Sequence, residues 1–163
     1  MLQPAAIDGL AFARSAGMVK GRLDMESLPR LAQSACSMAA LDFVLAGEIN
    51  ERGKPGIRLA VNGSVRMQCQ RCLGDVEFPL RLETRLELAL NEAEILAAED
   101  EIERVVASRD MSVAALVEDE VILALPMVPK HERCHAAAGA EGGAEPSAFR
   151  ALAALKKRSF SGG

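Results

Sequence analysis

The sequence predicts an α+β fold in which an antiparallel β-meander, similar to a split barrel, is covered on one face by a helix and followed by a flexible C-terminal tail. Three segments in which apolar and polar residues alternate indicate half-buried strands. A later segment with apolar residues three and four positions apart indicates the covering helix. We expect one domain over residues 1–135, a flexible linker over 136–146 and a short amphipathic helix or motif over 147–158.

The meander is expected to contain three strands, at residues 41–49, 57–67 and 76–90. Turn residues occupy positions 51–56 between the first two strands and 69–75 between the last two. In the third strand the even-numbered positions are apolar except at Thr84, so its odd-numbered charged residues, Glu87 among them, are expected to face water. One face of the sheet is therefore buried and the other is solvated.

The covering helix is expected to begin near Val113 and to end before Pro126. Asp110 or Ser112 can cap its first amides, and Pro126 and Pro129 prevent its continuation.

An acidic triplet, Glu118, Asp119 and Glu120, interrupts this helix. At about 100° per residue, Glu120 falls on the apolar side of the helix, whereas the other two fall away from it. We expect Glu120 to be buried and paired, because an unpaired buried carboxylate is costly. Its candidate partners are a backbone donor or one of Arg66, Arg71 and Arg133.

The remaining segments give weaker patterns. Residues 1–22 hold at most a short strand near positions 9–13, and a short helix capped by Ser27 is expected to follow. The acidic segment 91–110 is expected to be a solvated loop with one edge strand.

Composition limits the classes of function. The chain has 163 residues, half of them apolar, and a net charge of −4, which argues against an extended phosphate-binding surface and leaves only local basic patches. It has five Phe and no Trp or Tyr, too few aromatic residues for a base-stacking platform. No apolar run has the length of a signal peptide or a membrane span, so a cytoplasmic protein without membrane contacts is expected.

Cys69 and Cys72 form the sharpest local motif. A tight turn between them would make them cross-strand neighbours on the apolar face. Such a pair commonly closes the end of a core as two small apolar side chains. It can also act as a redox dithiol, or as half of a zinc site completed by Cys134 and His131 or His135. No cofactor is expected, with zinc as the possible exception, and Cys36 is expected to be a lone buried cysteine.

The solvated face of the sheet carries a modest basic patch. Its members are Arg58, Arg66, Arg81 and Arg85, with Arg71 at the hairpin tip. Solvation is the usual role of such a face, since glutamates interleave with the arginines, and contact with RNA is the alternative. No glycine-rich phosphate loop and no nucleophile elbow are present, so we expect no enzyme activity and no small-molecule substrate.

The CQRCL motif is followed by LVEDEVILALPMVPKH and by a C-terminal P-x2-F-x2-L-x2-LK box. This order of motifs resembles the YceD family of large ribosomal RNA subunit accumulation proteins. Residues at the family's motif positions are Cys69, Cys72, Glu118, Asp119, Glu120, Pro126, Pro129, His131 and Cys134. Some relatives have several cysteines after the proline pair, where this chain has only Cys134 and two histidines, and Glu145 replaces the usual asparagine before the box.

The resemblance implies a non-enzymatic factor for the synthesis, processing or stability of 23S rRNA. Its partners would be the pre-ribosomal large subunit, rRNA or a ribosome-assembly protein. We expect a composite binding surface made of the basic patch on the solvated face of the sheet and the C-terminal motif with Phe149, Leu152 and Leu155. The alternative is a zinc- or thiol-dependent metal-handling or redox protein that uses the C-x2-C pair.

Overall fold

The computed structural model describes residues 5–34 and 37–134. Its strands are β1 (Ala6–Ile7), β2 (Met18–Leu23), β3 (Ser37–Met38), β4 (Leu41–Ile49), β5 (Pro55–Gln68), β6 (Asp75–Ala89), β7 (Arg104–Val106) and β8 (Met111–Ser112). Its α-helices are α1 (Gly9–Arg14), α2 (Leu31–Ser34), α3 (Glu92–Leu96) and α4 (Val113–Ala124), and Met25–Ser27 form a 3-10 helix.

The chain divides into two compact units, residues 1–132 and 133–163. All the helices and strands above belong to the first unit, and Arg133 and Cys134 are the described residues of the second. Cys36, His135, the predicted linker (136–146) and the predicted C-terminal motif (147–158) lie outside the described residues.

The main sheet confirms the predicted antiparallel meander. Its strands follow the order β2–β4–β5–β6–β7, and β3 pairs with β5. The long hairpin of β5 and β6 joins thirteen residue pairs from Gly56↔Glu87 to Gln68↔Asp75. Among the described strands, only β7 runs parallel to its neighbour, and the sheet that they form does not close into a barrel. A separate two-stranded sheet pairs β1 with β8.

The core lies on the inner face of this sheet, where the alternating apolar side chains of β4, β5 and β6 point. These buried residues include Leu41, Phe43, Leu45, Ile57, Leu59, Val61, Val65, Leu80, Leu86 and Leu88. As the helical spacing predicted, α4 covers β5 and β6 and contributes Val113, Leu116, Val117 and Val121. Ser112 caps α4 by accepting the Ala115 N–H at 3.2 Å, which confirms one of its two predicted caps.

The N-terminal region differs from its prediction, because residues 9–14 form a helix and not a strand. Asp8 caps α1 by accepting the Ala11 N–H at 2.9 Å. The helix then packs on β4 and β5. It approaches β4 so closely that a Cβ atom at position 47 would collide with the Phe12 carbonyl, so Gly47 is required there.

Two further segments correct their predictions. The predicted short helix after Ser27 is present as α2, but Ser27 ends the 3-10 helix before it, and Asp24 caps that 3-10 helix by accepting the Ser27 N–H at 3.1 Å. The acidic segment does contain the expected strand, β7, but it also contains α3, which is capped by Asn91. In both places short polar residues stabilise a helix start of fewer than two turns, for which apolar periodicity gives no signal.

Glu87 also contradicts its prediction, because it is buried and not solvated. Its Oε2 accepts from Arg52 Nη2 at 2.6 Å and Asn50 Nδ2 at 2.8 Å, and its Oε1 accepts from Arg104 Nε at 3.1 Å. Burial would raise the pKa of this carboxyl, but the hydrogen bonds outweigh it and the pKa is lowered. Residues from the turn after β4 and from β7 thus cover one position of the otherwise wet face.

Replacing Glu87 with alanine is expected to lower the free energy of unfolding by about 3 kcal/mol, because it leaves the buried Arg104 guanidinium without one of its carboxylates. Glu83→Ala is the matched control: Glu83 lies on the same strand but is exposed, and its loss should change stability by less than about 0.5 kcal/mol. Urea denaturation of both variants measures the difference. Equal, small effects would contradict a stabilising role for Glu87.

Candidate metal centre

The turn between β5 and β6 holds Cys69 and Cys72. The last ladder pair is Gln68↔Asp75, and the Cys69 N–H donates to Gly74 O at 2.8 Å. Within the turn, the Leu73 N–H donates to Cys69 O at 2.9 Å, and Leu73 has a positive φ of 60°. The prediction that the two cysteines are cross-strand neighbours of a two-residue hairpin is therefore wrong. Both cysteines lie on one longer turn.

The segment that follows α4 packs on this turn. As predicted, α4 ends before Pro126, and the chain then continues to the buried Pro129. The Gln70 N–H donates to Pro129 O at 2.9 Å, and Arg71 Nη2 donates to His131 O at 3.1 Å. These two hydrogen bonds, one between backbone groups and one from the Arg71 side chain, bring His131 next to the C-x2-C turn.

His131 is held in one orientation. Its Nε2 lies 2.8 Å from the Asp75 carbonyl oxygen, and its Nδ1 lies 3.3 Å from Cys72 Sγ. Because a carbonyl oxygen only accepts, Nε2 carries a proton, and the neutral ring then presents the Nδ1 lone pair toward Cys72 Sγ.

Four metal-ligating residues meet at this place: Cys69, Cys72, His131 and Cys134. One ligand atom from each lies within 4.8 Å of the other three. Cys69 is buried and the others are half-buried. The four residues named as metal candidates from the sequence are therefore brought together.

The donor set fits zinc. In a tetrahedral site with bonds of about 2.0 to 2.3 Å, neighbouring ligand atoms lie roughly 3.5 to 3.8 Å apart, within the range that this cluster spans. The hydrogen bond from His131 to the Asp75 carbonyl is the outer-shell contact that zinc-binding histidines usually make. A redox dithiol would need Cys72 near a helix N-terminus, whereas a turn and β6 follow it.

Glu118 contradicts the prediction that it faces away from the core. It is 3% exposed, and its Oε1 accepts the N–H groups of Arg30 at 2.6 Å and Leu31 at 2.9 Å. Its Oε2 accepts from Arg30 Nε at 2.9 Å. Burial would raise the pKa of Glu118, but these hydrogen bonds lower it. The single-stripe prediction failed because α4 packs on two sides, against the sheet and against the start of α2.

The other two acidic residues differ from Glu118 and from each other. Asp119 is half-exposed and pairs with the Arg30 guanidinium. Glu120 is buried, as predicted, but it has no arginine partner within residues 5–34 and 37–134; its side chain forms a hydrogen bond with Thr84. Burial and the nearby Glu103 and Asp119 raise its pKa. The hydrogen bond with Thr84 acts in the opposite direction and lowers the pKa of Glu120, but burial and the two neighbouring carboxylates outweigh it.

The sequence did not predict Arg30 as the partner of Glu118 or Thr84 as the partner of Glu120. Arg30 carries no local signal, since 88 residues separate it from Glu118. Thr84 did leave one, because it is the polar residue at an inward position of β6 between Leu82 and Leu86. The remaining candidates Phe149, Leu152 and Leu155 lie outside the described residues.

None of the helices within residues 5–34 and 37–134 has the length and apolarity that a membrane span requires. Fold and site together define a small α+β protein with a candidate Cys3His centre at the turn of its longest hairpin. The chain belongs to the YceD family: the family model described as "Large ribosomal RNA subunit accumulation protein YceD" matches residues 57–156. That description names an accumulation factor for large-subunit rRNA. No curated protein and no solved structure matches the chain.

Glu118 and Glu120 should respond in opposite ways to neutralisation at pH 7. The lowered pKa of Glu118 gives stability that is present above its unfolded value of about 4.3 and is lost as the pH falls through the folded value. Glu118→Gln should therefore cost about 1 to 3 kcal/mol at pH 7, and less below about pH 4.

The raised pKa of Glu120 has the reverse effect, since its contribution is full below the unfolded pKa and is lost as the pH rises through the folded value. The isosteric Glu120→Gln should be neutral or stabilising at pH 7. Denaturant titrations of both variants between pH 3 and 8 compare them directly. Equal losses at pH 7 would show that the two carboxylates do not differ as described.

Proposed function

We propose that this protein supports the accumulation of large-subunit rRNA by binding, without catalysis, and that zinc at Cys69, Cys72, His131 and Cys134 holds its binding domain in shape. The observation that carries this proposal is that one family match, over residues 57–156, contains both the metal cluster and the acidic triplet. Its partner would be the pre-ribosomal large subunit, through rRNA or through an assembly protein.

The hydrogen bonds and ion pairs that the buried ionisable groups form within the protein support a binding function over catalysis. Among the described residues, the buried carboxylates are Glu87, Glu118 and Glu120. The first two are held by arginines, and His131 is held by the Asp75 carbonyl. Glu120 is on the buried side of α4, next to Thr84. General acid–base catalysis needs a group within reach of a substrate, and this buried position does not offer one.

Zinc would have a structural role in this arrangement. Cys69 and Cys72 come from the hairpin turn, whereas His131 and Cys134 follow α4, and 59 residues separate Cys72 from His131. A metal ion bound to both pairs would cross-link distant segments and neutralise the thiolates, and its binding free energy would add to folding stability. The thiol-dependent redox alternative would instead need reactive cysteines without a metal.

Protein purified without chelator should contain about one equivalent of zinc. EDTA should lower its melting temperature by at least about 5 °C, or roughly 1 kcal/mol for a domain of this size. Cys72→Ala should lose the metal and the response to EDTA, whereas Gln70→Ala, an exposed position of the same turn that is not one of the four ligand candidates, should keep both. Less than about a tenth of an equivalent, with no response to EDTA, would assign the cysteines to simple core packing.

The C-terminal motif is proposed to form part of the binding surface, together with the basic patch on the sheet. Phe149, Leu152 and Leu155 have helical spacing in the sequence and are followed by the cations Lys156 to Arg158. A short amphipathic segment of this kind can dock into a groove of a partner while its ordering cost is met on binding.

Cells that lack this protein should accumulate less large-subunit rRNA relative to small-subunit rRNA, and the full chain should restore the ratio. A truncation lacking residues 146–163 should melt at the same temperature but fail to sediment with large-subunit particles. Quantification of both rRNAs and sucrose-gradient sedimentation measure these effects. A normal rRNA ratio in cells without the protein would refute the proposed function, and a truncation that loses several kcal/mol of stability would refute the role of the motif as a docking segment.

A further inference from the structure

The outer face of the β5–β6 hairpin carries four exposed arginines. The register places Arg58 opposite Arg85, Arg81 opposite Asn62, and Arg66 opposite Glu77. These three levels are four residues apart along the hairpin, which corresponds to about 14 Å between levels and about 27 Å in total. The arginines therefore form a line along the hairpin and not a cluster at one point.

These arginines differ from the others of the sheet in how they are neutralised. Arg22 pairs with Asp42 at 2.9 Å, and Arg52 and Arg104 both pair with Glu87. Within residues 5–34 and 37–134, by contrast, Arg58, Arg66 and Arg81 form no salt bridge. Arg85 Nε has only a long contact of 3.8 Å with Glu48 Oε1. The fold thus leaves these four guanidinium groups available to an external anion.

The pair of Arg58 and Arg85 is unfavourable for the isolated protein. Like charges directly opposite each other destabilise an antiparallel pair of strands. The next residue along this level is Ala46, and the adjacent level holds Val44, Ala60 and Glu83, so one exposed carboxylate lies beside the two arginines. An extended anionic chain that binds both arginines would relieve their repulsion.

We propose that this outer face of β5 and β6, the arginine face, binds the phosphate backbone of RNA. The proposal rests on the proposed function, because the family's connection with rRNA makes RNA the relevant polyanion. Guanidinium groups bind phosphate oxygens through paired hydrogen bonds.

The contact is expected to be short and to have little sequence specificity. Glu77 and Glu83 lie among the arginines on the same face, and the net charge of the chain is −4, so only a few phosphates can be contacted. The described part of this face carries no aromatic residue that would stack on bases. The arginine face would therefore hold the backbone, and sequence would be selected elsewhere in the particle.

Fluorescence anisotropy with a labelled single-stranded fragment of large-subunit rRNA, at several salt concentrations, tests this proposal. Four phosphate contacts give a slope of log K against log salt concentration of about −3. Arg58→Gln with Arg85→Gln should reduce the slope by about 1.4 and weaken binding by about tenfold, without lowering the melting temperature. The control pair Arg14→Gln with Arg109→Gln removes the same charge from exposed positions outside this face and should leave both values unchanged.

Equal weakening by the two double variants would overturn the arginine face as the binding surface. So would a full-length protein that sediments with large-subunit particles but does not bind RNA, because the partner would then be a protein. Neither result touches the proposed function, which fails separately if cells without the protein keep a normal rRNA ratio.

Discussion

The contact between the β5–β6 turn and the segment after α4 is the constraint on which the candidate centre depends. A backbone bond from Gln70 to Pro129 O, at 2.9 Å, and the bond from His131 to Asp75 O, at 2.8 Å, join segments that are distant in sequence. Closing a loop of this length costs conformational entropy, which the hydrogen bonds offset in part. A metal ion shared by the two cysteine-bearing segments would stabilise the same closure, so the centre and the fold support each other.

Helix α4 determines where the chain returns to the hairpin, and its acidic triplet fixes the helix. Glu118 caps the start of α2 and binds Arg30, Asp119 supports the same arginine, and Glu120 meets Thr84 of the sheet. Three consecutive carboxyl groups thus have three environments, one of which lowers and another of which raises the pKa. Packing thus accounts for the acidic triplet, the motif that looks most reactive in the sequence.

The sequence predicted the meander and α4 well, because burial on one face imposes a period that local residues reveal. The prediction failed where a residue distant in sequence determines whether a side chain is buried. Arg52 and Arg104 pair with the buried Glu87, and Arg30 pairs with the buried Glu118. The local spacing of apolar residues does not reveal any of these partners. Helix α1 was missed because six residues are too few to show a helical period. The C-x2-C pair was visible, but only the fold shows that a histidine and a third cysteine come within 4.8 Å of it.

Membership of the YceD family connects this fold to large-subunit rRNA, and the candidate centre brings four of the motif residues together. X-ray absorption spectroscopy at the zinc K edge, on protein purified without chelator, tests that centre most directly. We expect a four-coordinate shell with three sulfur atoms at about 2.3 Å and one nitrogen atom at about 2.0 Å. A shell of oxygen and nitrogen atoms alone, or the absence of a zinc edge, would contradict the assignment.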